Sequence, residues 1–195
     1  MINSAIVDRP SWYAIRATRG RSQAVYDSLV SLNADDIIPF LPVMKHNHFD
    51  YSDKDNPQQV IIETPLDKTL VFVRTTLDKY TEILHMDIPG LTPYYNHFET
   101  NVFGRNPYLI VPDRQMESFR IIIESGWEDI ITSLADDSAL NKGDRVRVLD
   151  GPFKGVEGVV LKYKHQRRVF VKLEGIGSFG TGYVHKNLLE KLPPA

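Results

Sequence analysis

Lys142-Gly143-Asp144-Arg145-Val146-Arg147-Val148 and, after a short break, Gly151-Pro152-Phe153-Lys154-Gly155-Val156-Glu157-Gly158-Val159-Val160 decide how the C-terminal part of the chain folds. Arg145–Val148 alternates charged and apolar residues with a period of two, the signature of a strand with one face buried. Asp150-Gly151-Pro152-Phe153 is turn chemistry, and Gly143 and Gly151 suit backbone geometries that other residues resist. Gly158 falls inside a strand pattern, where a missing side chain permits a bulge or a close backbone approach. Val156–Tyr163, Arg168–Leu173 and Gly182–Val184 read as further strands between polar or glycine-rich turns. Four short strands in about 55 residues favour a small closed barrel over an open sheet with exposed edges.

Upstream the periodicity is mixed. Trp12–Ala17 reads as a strand and Thr18–Arg21 as a polar turn. Ser22 is placed to cap a helix with Val25, Leu29 and Leu32 on its apolar face. Ile37–Met44 reads as a second strand, which Pro39 and Pro42 confine to a sheet edge or kink. His46–Gln59 is a polar hairpin excursion or loop, followed by strands at Val60–Ile62 and Leu70–Val73, the latter apolar enough to be central. Thr75 and Asp78 offer a capping box for a helix carrying Leu77, Tyr80 and Leu84. Leu91–Tyr95 reads as a short strand and Phe98–Pro107 as loop. Pro112-Asp113 opens a third helix with Met116, Phe119 and Ile123 inward. Trp127, Ile130, Ile131 and Leu134 repeat at helical spacing, and Ser133–Asn141 reads as a linker. This order predicts an α+β domain over 10–125, a linker over 126–140 and the barrel over 141–195.

Composition narrows the function classes. Hydrophobic residues make up 42% and charged residues 25% of 195, the balance of a folded chain. No apolar run is long enough to span a bilayer. Met1–Pro10 contains Asp8 and Arg9 and no apolar core, so no signal peptide is expected. With no cysteine there is neither a disulfide framework nor a thiolate site, and a cytoplasmic location is expected. The net charge of −2 divides into −8 over residues 1–139 (12 Lys+Arg, 20 Asp+Glu) and +6 over 140–195 (11 Lys+Arg, 5 Asp+Glu). A basic small domain beside an acidic larger one points to nucleic-acid or acidic partners.

The segment from Lys142 to Val160 resembles the KOW motif of NusG-type transcription factors, a motif also found in ribosomal proteins. Trp12-Tyr13 opening a strand, Arg19-Gly20 before a helix, and Leu70-Val71-Phe72-Val73-Arg74 resemble the NusG N-terminal domain. Where NusG proteins carry Phe-Pro-Gly-Tyr, this chain has Leu66-Asp67-Lys68-Thr69-Leu70, a departure pointing to a specialised paralogue. Asn106–Met116, Leu173–Ile176 and Leu188–Leu192 are similar to the UpxY subfamily of Bacteroidetes antiterminators, which serve polysaccharide operons. The resemblance implies a NusG N-terminal-type α/β sandwich followed by an SH3-like KOW β-barrel. It further implies a transcription elongation and antitermination factor that binds the clamp helices of the RNA polymerase β′ subunit and suppresses pausing or termination. By the same resemblance, Tyr13, Leu70 and Phe72, with Phe40 and Tyr94, would contact polymerase. Thr18, Arg19 and Arg21 would read the non-template DNA strand. Phe153, Ile176 and Phe179 would meet ribosomal protein S10 or the terminator Rho, although Ile176 and Ser178 replace the aromatic and arginine of general NusG.

No Gly-x-Ser-x-Gly, phosphate-binding loop or dinucleotide fingerprint occurs, so no enzymatic activity and no cofactor are expected. His46-x-His48 sets two imidazoles on one strand face without a third ligand at characteristic spacing, and no metal is expected. The basic run Lys162-Tyr163-Lys164-His165-Gln166-Arg167-Arg168 is either a charged turn or a nucleic-acid contact. The alternative to a polymerase factor is a ribosome- or RNA-binding KOW protein acting in translation. It accounts for the basic barrel and leaves Trp12–Glu124 without a role.

Overall fold

Six of the seven residues of β1 (Ser11–Ala17) are apolar, aromatic or small, and four in succession, Trp12 to Ile15, are buried. A strand covered on both faces has to lie inside its sheet. In the computed structural model, which describes residues 9–50, 52, 58–126, 129–132, 140 and 143–193, β1 does so. It pairs antiparallel with β5 (Leu70–Thr75) on one side, in the register Tyr13↔Val73 and Ala14↔Phe72. On the other side β6 (Leu91–Pro93) and β7 (Ile110–Val111) take successive stretches of its edge. β2 (Ile38–Phe40) lies outside β5, at the edge to which Pro39 confines it.

Helices supply the cover. α1 (Ser22–Ser31) buries Val25 and Leu29. Ser22 is not its cap: Arg21 holds that position without a side-chain bond, while Ser22 is buried inside the first turn. α2 (Leu77–His85) buries Tyr80 and Ile83. Its cap is Thr76, whose hydroxyl accepts the Lys79 N–H at 3.3 Å. Thr75, the expected cap, is still the last residue of β5, paired with Ser11 and fully buried. α3 (Asp113–Glu124) starts at the expected Pro112-Asp113 and buries Met116, Phe119, Ile122 and Ile123. Pro42 ends the second predicted strand early. The chain then enters a separate hairpin, β3 (Val43–Asp50) with β4 (Gln58–Pro65), in which His48 faces Val60 and His46 faces Ile62.

The C-terminal strands are β8 (Asp144–Val148), β9 (Glu157–Tyr163), β10 (Gln166–Leu173), β11 (Gly177–Gly180) and β12 (Leu189–Lys191). Their order, β11-β10-β9-β8-β12, brings the last strand back beside the first. Val146, Val148, Phe153, Val156, Val169 and Phe170 are buried here. The expected strand at Gly182–Val184 is irregular backbone that still bonds to β10, Val184 N–H donating to the Arg167 carbonyl. Strand pairing falls instead on Gly177–Gly180, whose glycines read as a turn in the sequence.

The chain divides into two compact units. One holds the described residues up to Pro42, Asp67–Met116 and Leu173–Ile176. The other holds Val43–Leu66, Glu117–Lys172 and the described residues from Gly177 on. This differs from the expected division at 125 and 141, because the second half of α3 belongs with the barrel. There Phe119 packs on Phe179 with ring centroids 4.5 Å apart, and Glu157 N–H donates to the Ser118 hydroxyl at 3.0 Å. Within the expected linker, Asp129–Thr132 is turn and bridge and not helix. Ile131 exchanges backbone bonds of 2.9 and 2.8 Å with Gly180, and Asp129 receives the buried Arg168 guanidinium. Trp127 and Leu134 lie outside the described residues. Among the described residues, no helix is long and apolar enough to cross a membrane.

Gly158 makes the close approach that its place in the strand suggests. A Cβ there would sit 2.3 Å from the Phe170 carbonyl oxygen, a backbone atom that cannot give way. Gly158→Ala should therefore destabilise the barrel by about 1–3 kcal/mol, as overpacking does. The check is denaturant unfolding followed by near-ultraviolet circular dichroism.

Candidate functional site

Alternation along β1 sorts its aromatic residues. Trp12 and Tyr13 are adjacent and therefore face opposite sides of the sheet. Trp12 joins Phe40 and Phe72, with centroids 6.3 Å apart for both Trp12–Phe40 and Phe40–Phe72. Tyr13 lies on the other face, stacked on Tyr80 at 4.3 Å and 12°. Tyr80 meets Tyr108 edge-on at 5.1 Å, and Tyr108 stacks with Tyr95 at 5.6 Å. These four rings run from the core to the surface, and Tyr80 is locked by donating its hydroxyl proton to the Ala14 carbonyl at 3.1 Å. Burial first, and then the neighbouring Tyr108, push the Tyr80 phenol well above its ordinary pKa. Burial, reinforced by Asp78, raises that of Tyr13.

The outer end of this tyrosine series opens into a cavity of about 850 Å3. Tyr13, Tyr95, Tyr108, Leu77 and Ile110 give it apolar walls, and Arg9, Arg105, His97, Asn101 and Asn106 add polar groups. None of the lining residues is acidic, and among the described residues no carboxylate pairs with Arg9 or Arg105. Beside it, the excursion from Tyr95 to Tyr108 leaves the sheet edge between β6 and β7. Asn101 holds it in shape, its side-chain oxygen accepting the Phe103 and Arg105 N–H groups at 3.0 Å each. The Asn96 oxygen accepts Phe98 N–H at 3.0 Å, and the Asn106 amide donates to the Asn96 carbonyl at 3.1 Å. This bracing presents Phe98, Val102 and Phe103 at 80, 94 and 83% exposure. Three apolar side chains held so far out in a hydrogen-bonded loop make an exposed hydrophobic patch beside the cavity.

The residues expected at a polymerase contact are therefore not one surface. Tyr13 lines the cavity. Leu70 and Phe72 are buried on the opposite face with the partly buried Phe40, and Phe72 has no exposed surface. Tyr94 is partly buried at the sheet edge, donating its N–H to the Ala14 carbonyl. Tyr95, Tyr108, Ile110 and Arg105 were missed. The two asparagines flanking Phe98 and Val102–Phe103 were the available signal for a shaped loop.

Thr18, Arg19 and Arg21 do come together. Thr18–Gly20 is a short 3-10 turn in which Arg19 adopts the left-handed region at φ 56°. Thr18 and Arg21 both lie against Gly90, whose carbonyl accepts Thr18 N–H at 2.8 Å. Lys68 joins them through its carbonyl, which accepts Ser22 N–H at 3.0 Å, a neighbour that no local pattern indicates. Among the described residues, Arg19 and Arg21 have no carboxylate partner. In the barrel, Phe153 and Phe179 are buried, Phe179 against Phe119, and only Ile176 of the three expected contact residues keeps appreciable exposure. His46 and His48 stand exposed on the hairpin, and among the described residues no group of three or more potential metal ligands assembles.

The KOW motif family matches residues 142–172, and no curated protein sequence matches the chain. The motif covers β8, β9 and most of β10, fits an SH3-like β domain, and is consistent with a NusG-like or ribosomal-like RNA-binding protein.

The buried phenols make folding sensitive to alkali. As pH rises past about 10, the ordinary phenol value, the unfolded chain loses protons that folded Tyr80 keeps. Stability then falls by up to about 1.4 kcal/mol per pH unit for each such phenol. Denaturant midpoints taken between about pH 9 and about pH 11 should drop. Tyr80→Phe should flatten the dependence while lowering stability by about 1 kcal/mol for the lost hydrogen bond.

Proposed function

We propose that this chain is an operon-specific transcription elongation and antitermination factor of the NusG type. In this reading the first unit docks RNA polymerase through the clamp helices of the β′ subunit. The observation that carries it is the tyrosine-walled cavity flanked by exposed Phe98, Val102 and Phe103. An apolar, aromatic-lined depression beside a projecting hydrophobic loop suits a protruding helical tip. The polar rim, whose two guanidiniums have no carboxylate partner among the described residues, favours a tip that also carries carboxylates.

The cluster of Thr18, Arg19, Arg21 and Lys68 supports a second contact, with the exposed non-template DNA strand. Unpaired guanidiniums bind phosphates and stack on bases. The resemblance to UpxY antiterminators makes polysaccharide operons the expected targets. A barrel contact with ribosomal protein S10 or Rho would have to use Ile176 and its surroundings, since Phe153 and Phe179 are enclosed. The competing reading, a ribosome-associated RNA-binding protein acting in translation, draws on the basic barrel.

Tyr95→Asp combined with Ile110→Asp should lower co-purification with RNA polymerase by about tenfold or more, the scale of a central interface pair. Both side chains are substantially exposed, so the fold should persist. Val30→Asp, on the exposed face of α1, should leave binding unchanged. Stable association with ribosomal subunits and none with polymerase would refute the elongation-factor reading. Arg19→Ala should weaken readthrough on templates bearing the leader element while sparing polymerase binding, measured by in vitro transcription alongside pull-down. Equal loss of both would show that the turn does not read nucleic acid separately.

A further inference from the structure

The barrel treats its positive charges in two ways. Near the chain end they are neutralised. Arg147 bonds Glu157 at 2.6 Å and Glu190 at 3.4 Å, and Lys191 pairs with Asp144 at 2.8 Å. Arg168 is buried, its guanidinium held by Asp129, the Thr181 carbonyl and Gln166. At the β9–β10 tip the opposite holds. Lys162, Lys164 and Arg167 are exposed, and among the described residues none has a carboxylate within ion-pair distance.

This tip is built against its own stability. Lys162 and Arg167 are direct cross-strand partners, and like charges facing each other across an antiparallel pair repel. The two turn residues, Lys164 and His165, adopt left-handed backbone at φ 48° and 66°, where asparagine and glycine are the relaxed choices. The Lys164 ammonium is nevertheless steadied, 5.6 Å from the centroid of the Tyr163 ring. Two costs at one hairpin, with no carboxylate among the described residues to offset the repulsion, point to a ligand that supplies negative charge.

We propose that the β9–β10 tip, carrying Lys162, Lys164, His165 and Arg167, is a binding surface for single-stranded RNA. The cations meet phosphates. Tyr183, half exposed, lies in the segment fastened to β10 where Val184 N–H bonds the Arg167 carbonyl, and it offers a ring on which a base stacks. The neutral groups among the cations favour RNA over DNA. The His165 imidazole is exposed, and among the described residues the Gln166 amide nitrogen donates to no partner while its oxygen accepts from Arg168. Both can bond the 2′-hydroxyl that distinguishes the two polymers. An acidic peptide would satisfy the cations and leave the aromatic ring and the neutral donors unused. The surface stands independently of the polymerase reading, since a translation factor would use it equally.

The test is fluorescence anisotropy of the full chain with a labelled single-stranded RNA of mixed sequence, over a salt series. Three phosphate contacts predict a slope of about −2 in log affinity against log salt. Lys162→Glu should weaken binding about tenfold and reduce the slope. It should also hold or raise the thermal midpoint, because the Glu then faces Arg167 attractively; a binding loss with raised stability cannot be misfolding. Tyr183→Ala should weaken binding and leave the slope unchanged. The proposal is overturned if the wild-type chain shows no saturable binding or if Lys162→Glu binds as tightly as wild type. It is equally overturned if DNA of the same sequence binds more tightly, or if polyglutamate displaces the RNA as well as unlabelled RNA does.

Discussion

Trp12 and Tyr13 are neighbours in a strand buried on both sides, and neighbours in a strand cannot face the same way. Most of the first unit follows from that constraint. One face must receive an indole and the other a phenol, so each needs its own aromatic company. Phe40 and Phe72 provide it for Trp12, Tyr80 and Tyr108 for Tyr13. The first face ends in enclosed core. The second continues outward through Tyr108 and Tyr95, where the chain leaves the edge of β1 between β6 and β7. The cavity is thus a by-product of how the sheet edge is shared, and its apolar walls are the outer end of the core itself. A partner entering it would touch side chains already held by Tyr80, whose hydroxyl bond to Ala14 ties the tyrosine series to the central strand. Little conformational entropy would then remain to be lost on binding.

The barrel answers a different constraint. Its strands are short and rich in glycine, and its core is small, so it needs additional cover to bury β10 on both faces. The second half of α3 and the Asp129–Thr132 segment provide that cover, through Phe119 on Phe179, Ser118 to Glu157, and Ile131 to Gly180. Arg168 serves the same end. A buried guanidinium is tolerable only when its donors are satisfied, and Asp129 with the Thr181 carbonyl does most of that. Phe153 and Phe179 are therefore structural residues of the barrel, whatever surface it offers to partners.

What could be read from the sequence divides along the same physical line. Trp12–Ala17, Leu70–Val73, Arg145–Val148 and Pro112-Asp113 carry their structure in local pattern, and the fold bears it out. Choices settled by pairing were not legible. Thr75 and Thr76 are identical as caps, and the pairing of Thr75 with Ser11 hands the role to Thr76. Gly177–Gly180 looks like a turn until β10 lies beside it. Leu70, Phe72 and Tyr13 look like one aromatic patch until the register assigns them to opposite faces. For the candidate site, the basic turn at Thr18–Arg21 was visible because its residues are contiguous. The cavity was not, since Tyr13, Leu77, Tyr95 and Ile110 meet only through the sheet.

Charge shows how far a summed quantity can mislead. Residues 1–139 carry −8, yet the cavity lining they supply contains two arginines and no acid. Residues 140–195 carry +6, yet Arg147, Arg168 and Lys191 are paired with carboxylates. Screening confines electrostatic influence to about 10 Å at moderate salt, so a partner responds to unpaired groups close by and hardly to the sum. On that criterion the described residues include positive places at the cavity rim, the Thr18–Arg21 turn and the β9–β10 tip. Among the described residues none of the cations at these places pairs with a carboxylate, although the chain carries an excess of carboxylates overall. An acidic chain with local clusters of cations combines a net charge that repels polyanions with places that attract them. Net repulsion of polyanions and local attraction to them act over different distances, so the two coexist in one chain.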